Sequence, residues 1–516
     1  MKERSKKFLA LGLAMTMIMG TLSGCGQGVQ KETNVSESTS AGQIVTSESA
    51  SSESVQEEAK TVHLEVYFKE KQINSDLDKV EAAVNEYIEP LIGVTINMLG
   101  DQSSTPLDLA LAAGDDIDLF WCQYGSGYNY IDDQIVYDIT DLLKTEYKEL
   151  YDLWPEEFWE LSLYKGRHYF VPNYKEYAEG YSLQIPKKIV DKFGFDFSGV
   201  DELEDLEPFL KTMYDAGMTS SFIVNATKPE SIDMDNFEFI TQYMGIDPTG
   251  DTTKIVNYVE SKQYRALLDT VYKWNQAGYI NASEIKSGAT YISGQYDTDM
   301  GGFHVWTTIP GDNDMSCSAS WEREMVTFKF TENYVKTGST FNSGWMVNAR
   351  SSEEELNAAL SFLQLLNTDD VLADLIIYGI EGEHYTRDES GKVIVKSDGG
   401  YVSSGKWSIA GMQTGSLTNG DSYNSNEEKM DDFNAFNATG IPTIALGFVF
   451  DPSEVEAEVA AISGAIKEYW KPLYRGFYDP DQYLPEFQKA LKTAGIDEVI
   501  AEAQKQYDAW RAENVK

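Results

Sequence analysis

The strongest constraint on the fold is the alternation of apolar segments between Val62 and Trp121. The stretches HLEVYF, VTINML and IDLFW have the length and composition of buried strands. Between them lie two segments with apolar residues at helical spacing, from Leu77 to Leu91 and from Pro106 to Ala113. The order strand, helix, strand, helix, strand predicts right-handed parallel crossovers, so we expect an α/β fold.

The N-terminus has the pattern of an export signal. Four basic residues within the first seven precede an uncharged apolar run from Phe8 to Met19. This run is shorter than the roughly 20 residues needed to cross a bilayer, so we expect cleavage of the segment rather than a permanent span. We predict a signal peptide over residues 1–24.

The tetrapeptide Leu22-Ser23-Gly24-Cys25 follows the run and resembles the bacterial lipobox. The resemblance implies that Cys25 is the lipidated N-terminus and anchors the protein at the outer face of the cell membrane. The alternative is an ordinary cleaved signal in which Cys25 has no role. Residues 25–60 are rich in Ser and Glu and cannot bury enough apolar surface to fold, so we predict a disordered stalk.

Charge and cysteine content limit the partners of the remaining chain. A formal net charge of −43 opposes contact with phosphate backbones, so we expect no nucleic acid partner and membrane contact only through the lipid anchor. Cys122 and Cys317 leave open either one disulfide bond or two buried thiols. The tail has Asp-Pro pairs at 451 and 479, which are typical of helix starts.

Signatures of catalysis and of metal binding are poor. The histidines form no metal-binding pair, and they are scattered at His63, His168, His304 and His384. The segment GYVSSGK at 400–406 imitates a phosphate-binding loop, but Trp407 stands where Ser or Thr is required. We therefore expect no catalytic residue, no cofactor and no metal.

Three stretches resemble a known family. They are residues 118–143 (DLFWCQYGSGYNYIDDQIVYDITDLL), 165–194 (KGRHYFVPNYKEYAEGYSLQIPKKIVDKFG) and 340–368 (TFNSGWMVNARSSEEELNAALSFLQLLNT). Together they are similar to the extracellular solute-binding proteins of ABC importers, in particular the maltose-type and related oligosaccharide binders. The segment YGIEGEHY at 378–385 and the tail at 450–510 resemble a Gram-positive lipoprotein subfamily with a C-terminal domain of unknown function.

The resemblance implies a two-lobed, type II periplasmic-binding-protein-like fold with a hinge between the lobes and a helical C-terminal tail. We expect lobe 1 to comprise residues 61–175 and 350–440, and lobe 2 to comprise residues 176–349 and 441–516. The resemblance also implies that a monomer captures an oligosaccharide or other small solute in the cleft. Permease subunits of an ABC importer would then receive the solute.

A sugar cleft needs aromatic rings beside carboxylates and amides, because sugars present apolar C–H faces and hydroxyl rims. Trp121 has the position of a sugar-contacting Trp in the resembling family, and Trp306 resembles the aromatic platform of the opposite lobe. Trp345 lies at the expected return crossing. The other candidate ligand-binding residues are Tyr124, Tyr128, Asn129, Tyr174, Tyr177, Glu381 and His384. For each residue the alternative is packing in the protein interior.

Two other functions stay open. A surface glycan-degrading enzyme would need carboxylates, or a Tyr and Arg pair, that converge in the cleft. A binding lipoprotein for a peptide or other non-sugar solute would favour charged end pockets over stacked aromatic rings. The many aromatic and acidic candidates favour a neutral or weakly basic oligosaccharide, since an anionic ligand requires a cation in a dry site.

Overall fold

The computed structural model describes residues 60–514 apart from 69–70, 101–103, 123–125, 219–236, 280–303, 312–313, 315–316, 319–322, 330 and 404. The described residues do not include the predicted signal peptide or Cys25. Of the predicted stalk they include only Lys60. Within the described ranges, no helix combines the length and the apolar composition needed to cross a membrane.

The secondary structure elements are numbered in chain order. The strands are β1 Val62–Phe68, β2 Lys71–Asn74, β3 Val94–Gly100, β4 Leu119–Cys122, β5 Val171–Pro172, β6 Tyr181–Pro186, β7 Glu238–Thr241, β8 Met244–Ile246, β9 Val256–Asn257, β10 His304–Thr307, β11 Met325–Lys329, β12 Tyr334–Val335, β13 Gly344–Val347, β14 Tyr385–Arg387, β15 Val393–Val395, β16 Tyr401–Ser403 and β17 Ile441–Pro442.

The α-helices are α1 Leu77–Ile92, α2 Ser104–Ala113, α3 Ser126–Asp132, α4 Thr140–Lys144, α5 Lys148–Tyr151, α6 Glu156–Glu160, α7 Lys187–Phe193, α8 Glu207–Asp215, α9 Lys262–Gln276, α10 Glu353–Leu366, α11 Asp370–Tyr378, α12 Asn426–Asn437, α13 Glu456–Tyr474, α14 Pro480–Thr493 and α15 Ile496–Asn514. Turns of 3₁₀ helix occur at Leu203–Leu206, Tyr258–Glu260, Ser339–Asn342, Lys406–Ser408 and Ser453–Val455.

Lobe 1 is built on a sheet with the strand order β3-β1-β4-β13-β5. Strand β1 pairs in parallel with β3 and with β4, which confirms the predicted crossovers. Strand β13 runs antiparallel to β4 and β5. The lobe has its own core, in which Val66, Ile88 and Phe362 are fully buried. Helices α1, α10 and α11 contribute to this core because their apolar residues recur on one face.

Lobe 2 has a separate core and two antiparallel sheets, with the orders β10-β6-β11 and β7-β8-β9. Its buried residues come from two parts of the chain. Leu183 and Trp274 lie in the first part, and Phe487 and Tyr507 lie in the C-terminal helices. The predicted helical tail is therefore part of the lobe 2 core. The two cores confirm the two-lobed α/β fold.

One predicted lobe boundary differs from the structure. We expected residues 176–349 in lobe 2, but β13 pairs with β4 and β5 inside the lobe 1 sheet. The chain has therefore returned to lobe 1 by Gly344. The reason is that GWMV is buried along its whole length and extends the hydrophobic sheet.

Three segments connect the lobes, and we call them crossover 1 (residues 173–180), crossover 2 (residues 333–343) and crossover 3 (residues 437–445). Crossover 2 lies between the other two. The backbone N–H and C=O of Glu179 each bond to Tyr334 at 2.8 Å. On the other side β12 pairs in parallel with β17. The three crossovers therefore form one hydrogen-bonded hinge ribbon.

The far end of the hinge ribbon is fixed to lobe 2 by a buried carboxylate. Glu238 is 7% exposed and accepts a hydrogen bond from the backbone N–H of Ala445 at 2.9 Å. Burial raises the pKa of Glu238 above its ordinary value, and hydrogen bonds from Thr443 and the backbone amides oppose part of this rise. Donors at the carboxylate offset part of the cost of burying the group.

An aromatic cluster in lobe 1 surrounds a buried histidine. Trp159 stacks on Tyr151 with ring centroids 5.1 Å apart, and its ring lies 5.6 Å from His168 in an edge contact. His168 is 2% exposed. Burial lowers its pKa to about 4, and the nearby charge of Lys144 adds to this effect. The folded state therefore favours neutral His168.

We predict that Phe487→Ala in α14 lowers the free energy of unfolding by about 3–5 kcal/mol, because the side chain is fully buried in the lobe 2 core. Urea denaturation followed by tryptophan fluorescence measures the change. Glu486→Ala, at an exposed position of the same helix, is the control and should shift stability by less than about 0.5 kcal/mol. Equal effects of the two variants would mean that the tail does not stabilise lobe 2.

We predict that stability falls between pH 6.5, the ordinary pKa of histidine, and pH 4, because the unfolded chain takes up a proton at His168 that the folded state excludes. The shift corresponds to a loss of about 3 kcal/mol. His168→Gln should remove most of this pH dependence in urea titrations. An unchanged pH profile in the variant would assign the acid sensitivity to other groups.

Candidate functional site

The carboxyl ends of β1, β3 and β4 lie together at one edge of the lobe 1 sheet. Ligands of open α/β sheets bind outside this edge. At the end of β4, Cys122 pairs with Gly344, which also pairs with Pro172 at the end of β5. Crossovers 1 and 2 therefore join the sheet at the same edge. The space bordered by this edge and the hinge ribbon is the candidate cleft.

Trp121 lies at this edge but presents little surface. The residue is 9% exposed, and its Nε1 donates to Ser343 Oγ at 3.0 Å. Ser343 Oγ also accepts from Asn173 Nδ2 at 2.9 Å. These bonds tie β4 to crossovers 1 and 2. In this conformation Trp121 connects the sheet to the hinge ribbon, and its contact with a ligand stays a prediction.

Trp345 does not form the floor of the cleft in this structure, which corrects the sequence-based expectation. The side chain is fully buried, its Nε1 donates to the backbone O of Ile409 at 2.9 Å, and its ring makes an edge contact with Phe68 at 5.2 Å. A ligand cannot reach a ring that is enclosed on all sides. Trp345 is a core residue of lobe 1.

Tyr174 is also corrected from a ligand contact to a packing residue. It is 3% exposed, its ring lies 4.7 Å from that of Phe158, and its hydroxyl donates to Asn434 Oδ1. Burial raises the pKa of Tyr174 to about 12. Tyr177, three residues further along crossover 1, is half-buried and keeps part of its surface available.

Tyr128 and Asn129 lie in α3, just after β4. Tyr128 is half-buried, with its ring 5.1 Å from Tyr164 and 4.7 Å from Phe341 of crossover 2. Asn129 is exposed. The structure thus brings one aromatic ring and one amide to the region where β4 meets the hinge ribbon.

Crossover 1 also holds a charged pair. Lys175 Nζ bonds to Glu176 Oε1 at 2.6 Å, and both side chains are shielded, with exposures of 13% and 25%. The positive charge of Lys175 is therefore balanced within the protein. Lys175 was not among the sequence candidates, because a single Lys beside a Glu carries no pattern that marks a site.

Two sequence candidates are not tested by the structure. Tyr124 lies outside the described residues. Trp306 belongs to β10, where its backbone pairs with Ser182, but its side chain is not among those described. Their proposed contact with a ligand stays a prediction.

Glu381 and His384 lie in the loop before β14, and His384 contacts Asp76 at the N-terminus of α1. Glu381 is exposed and pairs with Arg387 at 3.2 Å. His384 is fully buried, so it is not available to a ligand in the cleft, which corrects the sequence-based expectation.

His384, Asp76 and Glu383 place potential metal ligand atoms within 4.8 Å of one another. His384 Nδ1 accepts from the backbone N–H of Ile380 at 2.8 Å, so Nε2 carries the proton and donates to Asp76 Oδ2 at 3.3 Å. Glu383 bonds to Lys79. Both ring nitrogens of His384 therefore have protein partners, and the cluster fixes the loop to the N-terminal end of α1.

Cys122 and Cys317 are both buried and no disulfide bond joins them, so of the two open alternatives the structure has two thiols. Burial raises the pKa of each thiol to about 12. The reactive thiolate is therefore scarce at neutral pH.

Sequence reasoning did not single out two buried asparagines of the hinge ribbon, Asn333 and Asn437. Their hydrogen-bond partners include Thr308 and Tyr177, which lie 25 and 260 residues away in the chain. No local pattern indicates bonds of this range. An alignment of related sequences would be the signal that could reveal them.

Comparison with known families adds two matches. Residues 82–380 match the model of the bacterial extracellular solute-binding proteins. Residues 444–512 match a domain of unknown function, DUF3502. The second match confirms the predicted C-terminal subfamily domain, which the structure shows to be part of lobe 2.

A carbohydrate ABC transporter substrate-binding protein of Streptococcus pneumoniae is 27% identical over 447 residues, which cover 84% of this chain and 88% of that protein. The crystal structure of the N-glycan transport solute binding protein NgtS from the same species has a TM-score of 0.74 at 24% identity, over 88% of this chain and 100% of that chain.

An HMO binding ABC-transporter associated solute binding protein of Bifidobacterium longum infantis has a TM-score of 0.54 at 16% identity, over 87% of this chain and 99% of that chain. Both structural likenesses show the fold. The family model covers more than half of the chain, and the protein therefore belongs to the bacterial extracellular solute-binding proteins.

Proposed function

We propose that the protein captures an extracellular oligosaccharide between its lobes and delivers it to the permease subunits of an ABC importer. The observation that carries the proposal is the hinge ribbon at the carboxyl edge of the lobe 1 sheet. Two rigid cores joined at such an edge can close around a solute and release it when they open. The closed form is a shape that a permease can distinguish from the open one.

Carbohydrate is the favoured solute class for two reasons. The relative from Streptococcus pneumoniae is described as a carbohydrate ABC transporter substrate-binding protein. The candidate cleft also has the chemistry that sugars need. Tyr128 and Tyr177 offer half-buried rings, and Asn129 and Glu176 offer an amide and a carboxylate for hydroxyl groups.

We propose a neutral or weakly basic ligand. Lys175 in crossover 1 is already paired with Glu176 and leaves no net positive charge there. The formal net charge of the chain is −43, which repels anions at long range. A polyuronide would therefore be disfavoured both on approach and in the cleft.

Binding without turnover and lipid anchoring are further parts of the proposal. The protein acts as a monomer, held at the outer face of the membrane by acyl chains on Cys25 of the cleaved precursor. The lipobox-like tetrapeptide that ends at Cys25 supports this. Metabolic labelling with palmitate should mark the wild type and leave Cys25→Ala unlabelled. Equal labelling of both chains would contradict the anchor.

We predict that isothermal titration detects binding of a neutral oligosaccharide such as Man5GlcNAc, with a weaker or absent response to an oligouronide and to peptides. Tyr128→Ala and Tyr177→Ala should each weaken binding by about threefold to tenfold through loss of ring contacts. Tyr214→Ala is the matched control, since Tyr214 is an exposed tyrosine of α8 in lobe 2. It should leave the Kd unchanged.

Mass spectrometry of the sugar after long incubation completes the experiment. Recovery of intact sugar supports a receptor, whereas cleaved sugar would make the protein an enzyme. A response to peptides alone would overturn the carbohydrate assignment. Equal effects of all three tyrosine variants would place the ligand outside the candidate cleft.

A further inference from the structure

Asn437 ends α12 and fixes crossover 1 to lobe 1. Its Oδ1 accepts from the backbone N–H of Tyr177 at 2.9 Å and of Ala178 at 3.3 Å. Its Nδ2 donates to the backbone O of Lys175 at 3.3 Å. The side chain is 4% exposed, so these bonds are shielded from water. These bonds hold crossover 1 against α12 as far as Ala178.

Asn333 makes the corresponding connection at the lobe 2 side of the hinge ribbon. Its Oδ1 accepts from Thr308 Oγ1 at 2.7 Å, just after β10, and its Nδ2 donates to Thr439 Oγ1 at 2.8 Å. The residue is 5% exposed. The backbone of Thr308 in turn donates to Gly180 O at 2.8 Å. Asn333 thus links crossover 2 to lobe 2 through Thr308, and to crossover 3 through Thr439, whose hydroxyl donates to the backbone O of Phe436 in α12.

The two asparagines leave only a narrow band between them. In crossover 1 this band is Glu179, between Ala178 on the lobe 1 side and Gly180 on the lobe 2 side. Crossovers 2 and 3 touch within it, since a Cβ on Gly440 would lie 2.5 Å from Val335 Cγ2. In crossover 1, a rotation of one lobe against the other has to be absorbed by backbone torsions in this band.

We propose that Asn333 and Asn437 are positioning residues that set the resting angle between the lobes, and through it the affinity of the cleft, without touching the ligand. Asn437 holds crossover 1 to α12 of lobe 1, and Asn333 holds crossovers 2 and 3 to each other and to Thr308 of lobe 2. Bending is therefore confined to the few residues between these bonds. When bending is limited to these few residues, most molecules keep a lobe angle from which the cleft can close around a ligand. Removing one asparagine spreads the population over more angles and lowers the binding-competent fraction.

Lobe angles in the absence of any ligand provide the direct test. Spin labels at Glu354→Cys on α10 and Lys489→Cys on α14, both exposed positions, report the distance between the lobes by pulsed electron resonance. Cys25→Ala removes the third cysteine, which would otherwise take the label, and the native thiols Cys122 and Cys317 are buried. In the full chain, Asn437→Ala and Asn333→Ala should each broaden or shift the distance distribution.

Asn367→Ala is the matched control. Asn367 is also a buried asparagine, 2% exposed, with Nδ2 donating to Leu363 O and Oδ1 accepting from Gly411 N. All of its partners lie in lobe 1, so its loss should lower thermal stability but leave the distance distribution as in the wild type. Asn437→Asp keeps the acceptor for the two backbone amides and should restore most of the wild-type distribution.

Affinity is the second readout, and it rests on the proposed function. For Man5GlcNAc we expect the two hinge variants to weaken Kd by about threefold to tenfold, and the control variant to leave it unchanged. If the wild type does not bind this glycan, the proposed function is at fault, while the ligand-free distances still test the role of the two asparagines. Distance distributions equal to the wild type in both Asn437→Ala and Asn333→Ala would overturn the inference, as would an equal change in Asn367→Ala.

Discussion

Crossover 2 is hydrogen-bonded along both of its sides. Tyr334 exchanges backbone bonds with Glu179 of crossover 1, and the C=O groups of Asn333 and Val335 accept from Ile441 and Thr443 of crossover 3. Three separate connections between lobes would allow bending in many directions. Because they are bonded side by side, we expect them to bend together as one ribbon. The position of the cleft, the freedom of the lobes and the access to the ligand all depend on this ribbon.

Each lobe is organised around a separate core. Each has a close-packed core of its own, and close-packed cores shift as units rather than deform. The C-terminal helices belong to this design, because Phe487 and Tyr507 are buried with Trp274 in the lobe 2 core. Buried Glu238 then ties that core to the end of crossover 3. A solute that binds between the cores can therefore convert local contacts into a rotation of whole lobes.

Local patterns predicted the elements well. The parallel strands β1, β3 and β4 follow from the apolar runs, and the start of α14 follows from the predicted cap at Asp479. Patterns of this kind depend on neighbours within a few residues, which is why they can be read from the chain. The family resemblance then supplied the two-lobed fold, which the two separate cores confirmed.

The site was predicted less well. Trp345 and Tyr174 are aromatic residues of the kind that bind sugars, but both are buried. An aromatic ring packs as well in a protein core as against a sugar, so residue type alone does not distinguish the two positions. Asn333 and Asn437 were missed because their function comes from partners in distant parts of the chain. Burial and long-range hydrogen bonds are set by tertiary packing, and a single sequence does not show them.

Small-angle X-ray scattering of the full chain with and without a neutral oligosaccharide tests the central claim most directly. If the protein captures solute by rotation of two rigid lobes about the hinge ribbon, saturating ligand should lower the radius of gyration while the molecular mass stays that of a monomer. A bound ligand with an unchanged radius of gyration would contradict capture by closure.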